Sequence, residues 1–335
     1  MSYSIARIVS MGIHLPKRRR DVLDISRRHG IPDEVTLKTG HRRIAIAGAD
    51  ETPTQLAARA ACIALDRAQL RGADIDTLIY CGSHKDFSKW QASTAVQQAI
   101  GNEAANCYDL YQGCNTPLLA LSLASAAIQV GQARKVLIVA AECWAGCTED
   151  HMLSQSIYVS DGAAAMVVSD TGRGIRPLHL AFRSNGQFND LWYIRGGGHV
   201  GANKGARSGD AIYKVQRELD SAELNQFKRM AACFAADMLE ECMSAAQLDK
   251  SRIDYVITLN GNDRHNEHYL KEIGCLQLEN SRRYLGEIGH LGGADFIYNL
   301  NRCSEDGCVR DGGHILAYAG GAGYSWSTGI FGVEA

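Results

Sequence analysis

Cys114 is the residue of this sequence best placed to do chemistry. It stands in the run Asp109-Leu110-Tyr111-Gln112-Gly113-Cys114-Asn115-Thr116-Pro117, where an apolar strand is expected to end and a helix to begin. Pro117 suits a first helical turn, where no N–H is needed, and Leu118, Leu119, Leu121, Leu123 and Ala126 continue at helical spacing. The unpaired N–H groups of a helix start favour negative charge, so a thiol placed there can serve as a nucleophile and a developing oxyanion finds donors. A small buried cysteine is the ordinary alternative. We adopt that reading for the other ten, at 62, 81, 107, 143, 147, 233, 242, 275, 303 and 308.

Other candidate centres are weaker. Cys143-Trp144-Ala145-Gly146-Cys147 and the pair Cys303 and Cys308 lack the C-x-x-C spacing of a zinc site, and no metal is expected. Gly196-Gly197-Gly198 and Gly201 follow no buried strand and open no clear helix, which points to a flap over 195–210 rather than a phosphate loop. Gly320-Gly321-Ala322-Gly323 directly follows the last buried strand, where glycine lets backbone approach a reacting centre or simply closes a tight connection. His265 and His268 offer imidazoles, but Arg264, Glu267 and Lys271 share their stretch, as on a solvated rim helix.

The elements that must position Cys114 show an internal duplication. Ile75-Asp76-Thr77-Leu78-Ile79-Tyr80 is answered 178 residues later by Ile253-Asp254-Tyr255-Val256-Ile257-Thr258, and Val136-Leu137-Ile138-Val139-Ala140 is answered 179 residues later by Ile315-Leu316-Ala317-Tyr318-Ala319. These short apolar runs read as strands buried on both faces. A helical stretch precedes each member of the first pair, over 54–70 and 222–248. Strands alternating with helices in two matching halves predict an α/β protein built on two similar sheets, with halves at 1–172 and 173–335.

Composition narrows the setting. A chain of 335 residues with 46% hydrophobic content is long enough for two domains or one large duplicated one. The net charge of −2 gives no electrostatic case for nucleic acid, and the short basic runs Lys17-Arg18-Arg19-Arg20 and Arg42-Arg43 suit a solvated surface or a clamp for a coenzyme phosphate. Scattered cysteines suggest reduced thiols in a cytoplasm. The N-terminus carries no apolar core of signal-peptide length and no apolar run is long enough to span a bilayer, so no membrane association is expected.

Taken together, Thr39-Gly40 with Arg42-Arg43-Ile44-Ala45, Cys114 ahead of its helix, Ser160-Asp161-Gly162-Ala163-Ala164-Ala165 and the terminal Gly320-Gly321-Ala322-Gly323-Tyr324-Ser325-Trp326 resemble the thiolase superfamily, specifically β-ketoacyl-acyl-carrier-protein synthase III. The resemblance runs over almost the whole chain. It implies a thiolase-like five-layered α/β/α/β/α fold from two duplicated halves, a homodimer or heterodimer with the homodimer favoured, and an acyl-thioester intermediate on Cys114. It also implies coenzyme A or acyl carrier protein as the partner that brings the acyl group, and no cofactor beyond that thioester. The segment of His84 with Lys85, Asp86, Phe87 and Trp90 contributes in the family to the subunit interface and the partner's acyl pocket.

Two departures from the family pattern shape the functional expectation. The family completes its site with a His in a His-Gln-Ala-Asn run and an Asn in a Gly-Asn pair. Here Thr258-Leu259-Asn260-Gly261-Asn262 puts Leu259 at the usual His position and keeps only the final Asn, while Gly289-His290 replaces the Gly-Asn pair. Leucine cannot donate to an enolate, so ordinary decarboxylative condensation loses a group it needs. His290 is followed by Asp295, a spacing that lets a carboxylate hold one imidazole nitrogen while the other faces Cys114. The pattern is similar to an acyl-transferring branch of synthase III-like enzymes in polyketide antibiotic pathways. A core histidine and a first-turn aspartate favoured by the helix dipole are the plainer alternatives.

The expectation is therefore an acyltransferase with Cys114 as nucleophile, His290 as base and Asp295 as its orienter. The N–H groups of Cys114 and Gly321 form the oxyanion hole, Asn262 assists in positioning substrate, and a hydroxyl, amine or thiol on a small molecule or carrier accepts the acyl group. A carbon–carbon condensing synthase with an altered site, and a non-catalytic partner subunit, are the alternatives.

Overall fold

A computed structural model describes residues 5–194, 212, 214–322 and 324–334. The expected flap over 195–210 lies outside the described residues. Ten strands form the main sheet: β1 (Arg7–His14), β2 (Thr77–Tyr80), β3 (Asn106–Asp109), β4 (Lys135–Glu142), β5 (Gly162–Ser169), β6 (Gly174–Ser184), β7 (Tyr255–Ile257), β8 (Glu279–Asn280), β9 (His314–Gly321) and β10 (Ser325–Glu334). Their spatial order is β8-β7-β9-β10-β6-β1-β5-β4-β2-β3. Each half thus carries the same five-strand order, and the halves meet where β1 pairs with β6.

The duplicated segments occupy matching places at the level of single hydrogen bonds. Thr77 of β2 lies beside Val136 of β4, and Tyr255 of β7 lies beside Ile315 of β9, both in parallel ladders. One step earlier, Asp76 Oδ2 accepts from Lys135 N at 2.8 Å, and Asp254 Oδ2 accepts from His314 N at 2.8 Å. A carboxylate before each strand therefore catches an otherwise open N–H of its neighbour. The two halves abut at the short turn between β5, which ends at Ser169, and β6, which begins at Gly174.

Helices complete the layers. Helix α1 (Pro53–Arg67) packs its alanine face, Ala57, Ala60, Ala61 and Ala64, on β1, β4 and β5. Helix α3 (Ser221–Ala246) covers β6 and β10. Between the two sheet halves lie α2 (Thr116–Gln129) and α5 (Ala294–Glu305), which touch each other and strands of both halves. Their sequences fit a place in the middle. Helix α2 buries Leu118, Ala120, Leu121, Ala124 and Ile128, and α5 buries every residue from Ala294 to Asn301. The result is the expected five-layered thiolase-like α/β/α/β/α arrangement, with the core on both sides of the central helices. A shorter helix, α4 (Asp263–Glu272), sits at the end of β7.

One local expectation needs correction. The strand ahead of Cys114 is not an apolar buried one; β3 is the edge strand Asn106-Cys107-Tyr108-Asp109, half-exposed, with β2 as its one strand neighbour among the described residues. The helix expected after Cys114 is present as α2, with Leu123 on its outer side at 46% exposure.

Candidate active site

Cys114 lies two residues before α2, in a loop that both halves hold. Thr116 Oγ donates to Gly113 O at 2.6 Å and accepts from Gln112 N at 2.8 Å. From β10, Ser327 Oγ accepts from Asn115 Nδ2 at 2.9 Å, and Ser325 Oγ donates to Gln112 O at 3.2 Å and to Asn115 Oδ1 at 3.1 Å. Gly113 has φ +67, and a Cβ there would stand 2.9 Å from Gly321 Cα and 2.7 Å from Ala322 N. That close approach brings the end of β9 against the nucleophile loop, so Gly320, Gly321 and Ala322 share one cavity with Cys114.

Opposite the thiol stands His290, with its Nε2 3.3 Å from Cys114 Sγ and its Nδ1 2.5 Å from Asp295 Oδ2. The backbone of His290 is itself pinned: its N–H donates to Tyr158 O at 2.9 Å, and its carbonyl accepts from Ser160 N at 2.8 Å. Asp295 is fully buried in the first turn of α5, where the helix N-terminus favours a carboxylate. It also accepts from Leu291 N at 2.7 Å and Asn260 N at 2.6 Å. With three N–H donors on its oxygens the carboxylate has a single orientation. Burial opposes a charge on His290, but the adjacent Asp295 carboxylate and Cys114 sulfur outweigh it and hold the imidazole well above its usual range.

The structure brings Cys114, His290, Asp295 and Gly321 to one place and leaves Asn262 out of it. Asn262 is the N-cap of α4: its Oδ1 accepts from Arg264 N at 2.9 Å and its Nδ2 donates to Ser156 O at 2.7 Å. Capping uses its polar atoms, and it lines an adjoining cavity rather than that of Cys114. Leu259 packs against the core and lines that same adjoining space. His265 lies exposed where the two cavities meet, and His268 is exposed near Glu272. Other thiols differ in kind: burial pushes Cys143 and Cys242 up to about 12.

Sequence reading missed two groups that support the site. His41, fully buried, places Nε2 2.8 Å from Asn260 O, and burial pushes its imidazole down to about 4. It holds the segment whose N–H reaches Asp295. Its neighbours Thr39, Gly40 and Arg42 were legible as a motif, but nothing in a single histidine tells where its ring points. The second group is His84 with Glu142. Their Nδ1 to Oε2 distance is 2.6 Å, Glu142 is fully buried at the end of β4, and His84 lines the cavity of Cys114.

Burial opposes the charge on His84, but the adjacent Cys147 sulfur and the Glu142 carboxylate outweigh it and push the imidazole up to about 10. A folded value above the unfolded one binds the proton tighter in the native state. The resulting stabilisation is fully present below the ordinary 6.5 and lost as pH rises toward about 10. We expect the advantage of wild type over His84→Asn in urea midpoint to be largest at about pH 6 and to shrink by about pH 9.5. An advantage unchanged across that span contradicts the assignment.

Gly292 gives a stability test of the loop between His290 and Asp295. It has φ +60, and a Cβ would meet Glu142 Oε1 at 2.7 Å, whereas Gly307, at φ +62, has open space around it. Gly307→Ala is expected to cost about 1 kcal/mol from backbone strain alone, and Gly292→Ala about 1–3 kcal/mol more, because Glu142 must move. Equal denaturant midpoints for the two variants would rule this out.

Models of known families match two stretches of the chain. Residues 108–186 match 3-oxoacyl-[acyl-carrier-protein] synthase III, and residues 243–333 match the C-terminal part of the same enzyme. The β-ketoacyl-[acyl-carrier-protein] synthase III of Methylococcus capsulatus is 27% identical over 327 residues, covering 97% of this chain and 98% of that protein. That of Aliivibrio fischeri is 25% identical with the same coverage. Among solved structures, the priming β-ketosynthase from the R1128 polyketide biosynthetic pathway superimposes with a TM-score of 0.85 at 21% identity, covering 98% of this chain and 96% of that one. The acyltransferase ChlB3 superimposes with a TM-score of 0.82 at 22% identity, covering 98% of each chain. With both halves matched in order and the fold shared end to end, the chain belongs to the β-ketoacyl-acyl-carrier-protein synthase III-like family of condensing and acyl-transferring enzymes.

Proposed function

We propose that the protein is an acyltransferase that moves an acyl group from a coenzyme A or carrier-protein thioester, through a thioester on Cys114, to a hydroxyl, amine or thiol acceptor. The observation that carries this reading is the chain Cys114 Sγ, His290, Asp295, at 3.3 and 2.5 Å, in a sequence that has Leu259 at the position where the resemblance expects the imidazole used in decarboxylation. Cys114 Sγ and His290 Nε2 share one proton, which lies on His290 as the sulfur attacks the thioester carbonyl. The N–H groups of Cys114 and Gly321 receive the oxyanion, and its collapse expels the donor thiolate, which takes the proton of His290. Acylated sulfur carries no negative charge, so one of the groups that raised His290 is gone. The neutral ring then takes a proton from the acceptor as the acceptor attacks the acyl carbon. Release of the Cys114 sulfur leaves that proton between it and His290 Nε2, and Asp295 holds Nδ1–H throughout.

The name of the R1128 priming β-ketosynthase supports a place in polyketide-type specialised metabolism, and that of ChlB3 supports acyl transfer. We place the protein in the cytoplasm as a homodimer; among the described residues no helix is long and apolar enough to cross a membrane. The condensing alternative is favoured by the names of the curated relatives. One experiment separates the two: intact-protein mass spectrometry with a panel of acyl-coenzyme A thioesters, then addition of hydroxyl, amine and thiol acceptors and of malonyl thioester. Acyltransfer predicts an adduct discharged by an acceptor without carbon dioxide. Carbon dioxide release with a new carbon–carbon bond replaces it by condensation.

A further inference from the structure

The cavity of Cys114 holds a second imidazole–carboxylate pair that the acyltransfer steps above do not use. Its volume is about 540 Å³, and much of its wall is apolar, from Trp144, Leu153, Ile157, Trp192 and Trp326. Into that wall is set His84, whose side chain is 10% exposed. Its ring is fixed edge-on to Trp144, with centroids 4.6 Å apart, and its Nδ1 is 2.6 Å from Glu142 Oε2. Glu142 is itself immobilised: its Oε1 accepts from Ser83 Oγ at 3.1 Å and from Ser83 N and Gly293 N at 3.3 Å.

Among the described residues the hydrogen bond of the His84 ring is the one to Glu142, and the thiol of Cys147 is its other polar neighbour. Sulfur is a weak acceptor, so an oxygen from a ligand in the cavity is a better partner for an imidazole N–H than that thiol. An alkyl chain at the same place offers nothing and removes water from a polar group. We propose that His84 selects the acyl group, favouring a chain that carries a hydroxyl or keto oxygen over an unsubstituted alkyl chain of the same length. The inference rests on the acyl-enzyme reading of Cys114 and adds to it the class of acyl donor.

The test uses butanoyl-, 3-hydroxybutanoyl- and acetoacetyl-coenzyme A at subsaturating concentration, with the initial rate of Cys114 adduct formation read by intact mass. Wild type should form the oxygenated adducts about tenfold to a hundredfold faster than the butanoyl adduct, the worth of one charge-assisted hydrogen bond. In His84→Phe, which keeps a ring against Trp144, that ratio should fall to about one. Because His84→Phe leaves Glu142 without its partner, His84→Asn is measured beside it: it retains a donor for Glu142 but has no ring N–H, and its ratio should fall likewise.

A readout independent of turnover comes from Cys114→Ala. Its histidine side-chain nitrogen resonances are recorded with N-acetylcysteamine thioesters of 3-hydroxybutanoate and butanoate, and the His84 signals should move with the first only. Equal rates in wild type, a preference that survives both His84 variants, or His84 signals indifferent to the hydroxyl would each overturn the inference. Absence of any adduct in the first experiment defeats the acyl-enzyme reading instead, and the resonance measurement then decides the role of His84 by itself.

Discussion

Cys114→Ala is expected to abolish covalent acylation from every thioester donor, with the urea midpoint held to within about 1 kcal/mol of wild type. The loss is complete because the sulfur is the atom that carries the acyl group, and burial pushes the Cys81 and Cys143 thiols up, which keeps them protonated. The fold should be insensitive because Cys114 is only partly buried and its side chain makes, among the described residues, one hydrogen bond, to His290. The loop around it is held by Thr116, Asn115, Ser325 and Ser327, none of which uses the sulfur. Intact mass after incubation with acyl-coenzyme A reads the first part and denaturant unfolding the second. Labelling that persists undiminished in the variant moves the nucleophile to another cysteine.

Much of this architecture was legible in the sequence because its signals are local. Pro117 at the start of α2, the two Ile-Asp runs and the two apolar strands at nearly constant offset depend only on neighbouring residues and on a repeat. The pairing of His290 with Asp295 was legible for a related reason, since a turn and the first residues of a helix separate them. What escaped was set by contacts distant in the chain. His41 meets Asn260 across 219 residues, and His84 meets Glu142 across 58. Asn262 was misjudged because an asparagine before a helix serves as a cap as readily as it serves a substrate, and only coordinates show which atoms the cap consumes. The polarity of β3 misled in the same way: Asn106 and Asp109 sit on a strand whose outer side no other strand covers among the described residues.

The second large effect belongs to His290. His290→Ala is expected to lower the rate of acyl transfer by about a hundred- to ten-thousandfold, because the same ring gives a proton to the leaving thiol and takes one from the acceptor. Asp295→Asn should cost less in rate and more in stability than a simple loss of charge. Oδ1 of Asp295 accepts from Leu291 N, and Oδ2 accepts from both Asn260 N and His290 Nδ1. An asparagine must turn its NH2 group toward one of these donors, so a buried donor faces a buried donor whichever way the amide lies. If the amide oxygen keeps the Oδ2 place, the imidazole keeps its tautomer and the rate falls modestly. If the NH2 group takes that place, Nδ1 must accept instead, the protonated nitrogen turns toward Cys114, and the ring can no longer act as base. His265→Ala, at the cavity edge, should leave the rate nearly unchanged. The double variant His290→Ala with Asp295→Asn should be no slower than His290→Ala alone, since an orienter has nothing left to orient. Additive losses in that double variant, or a large loss in His265→Ala with none in His290→Ala, would assign the proton transfers to a different imidazole.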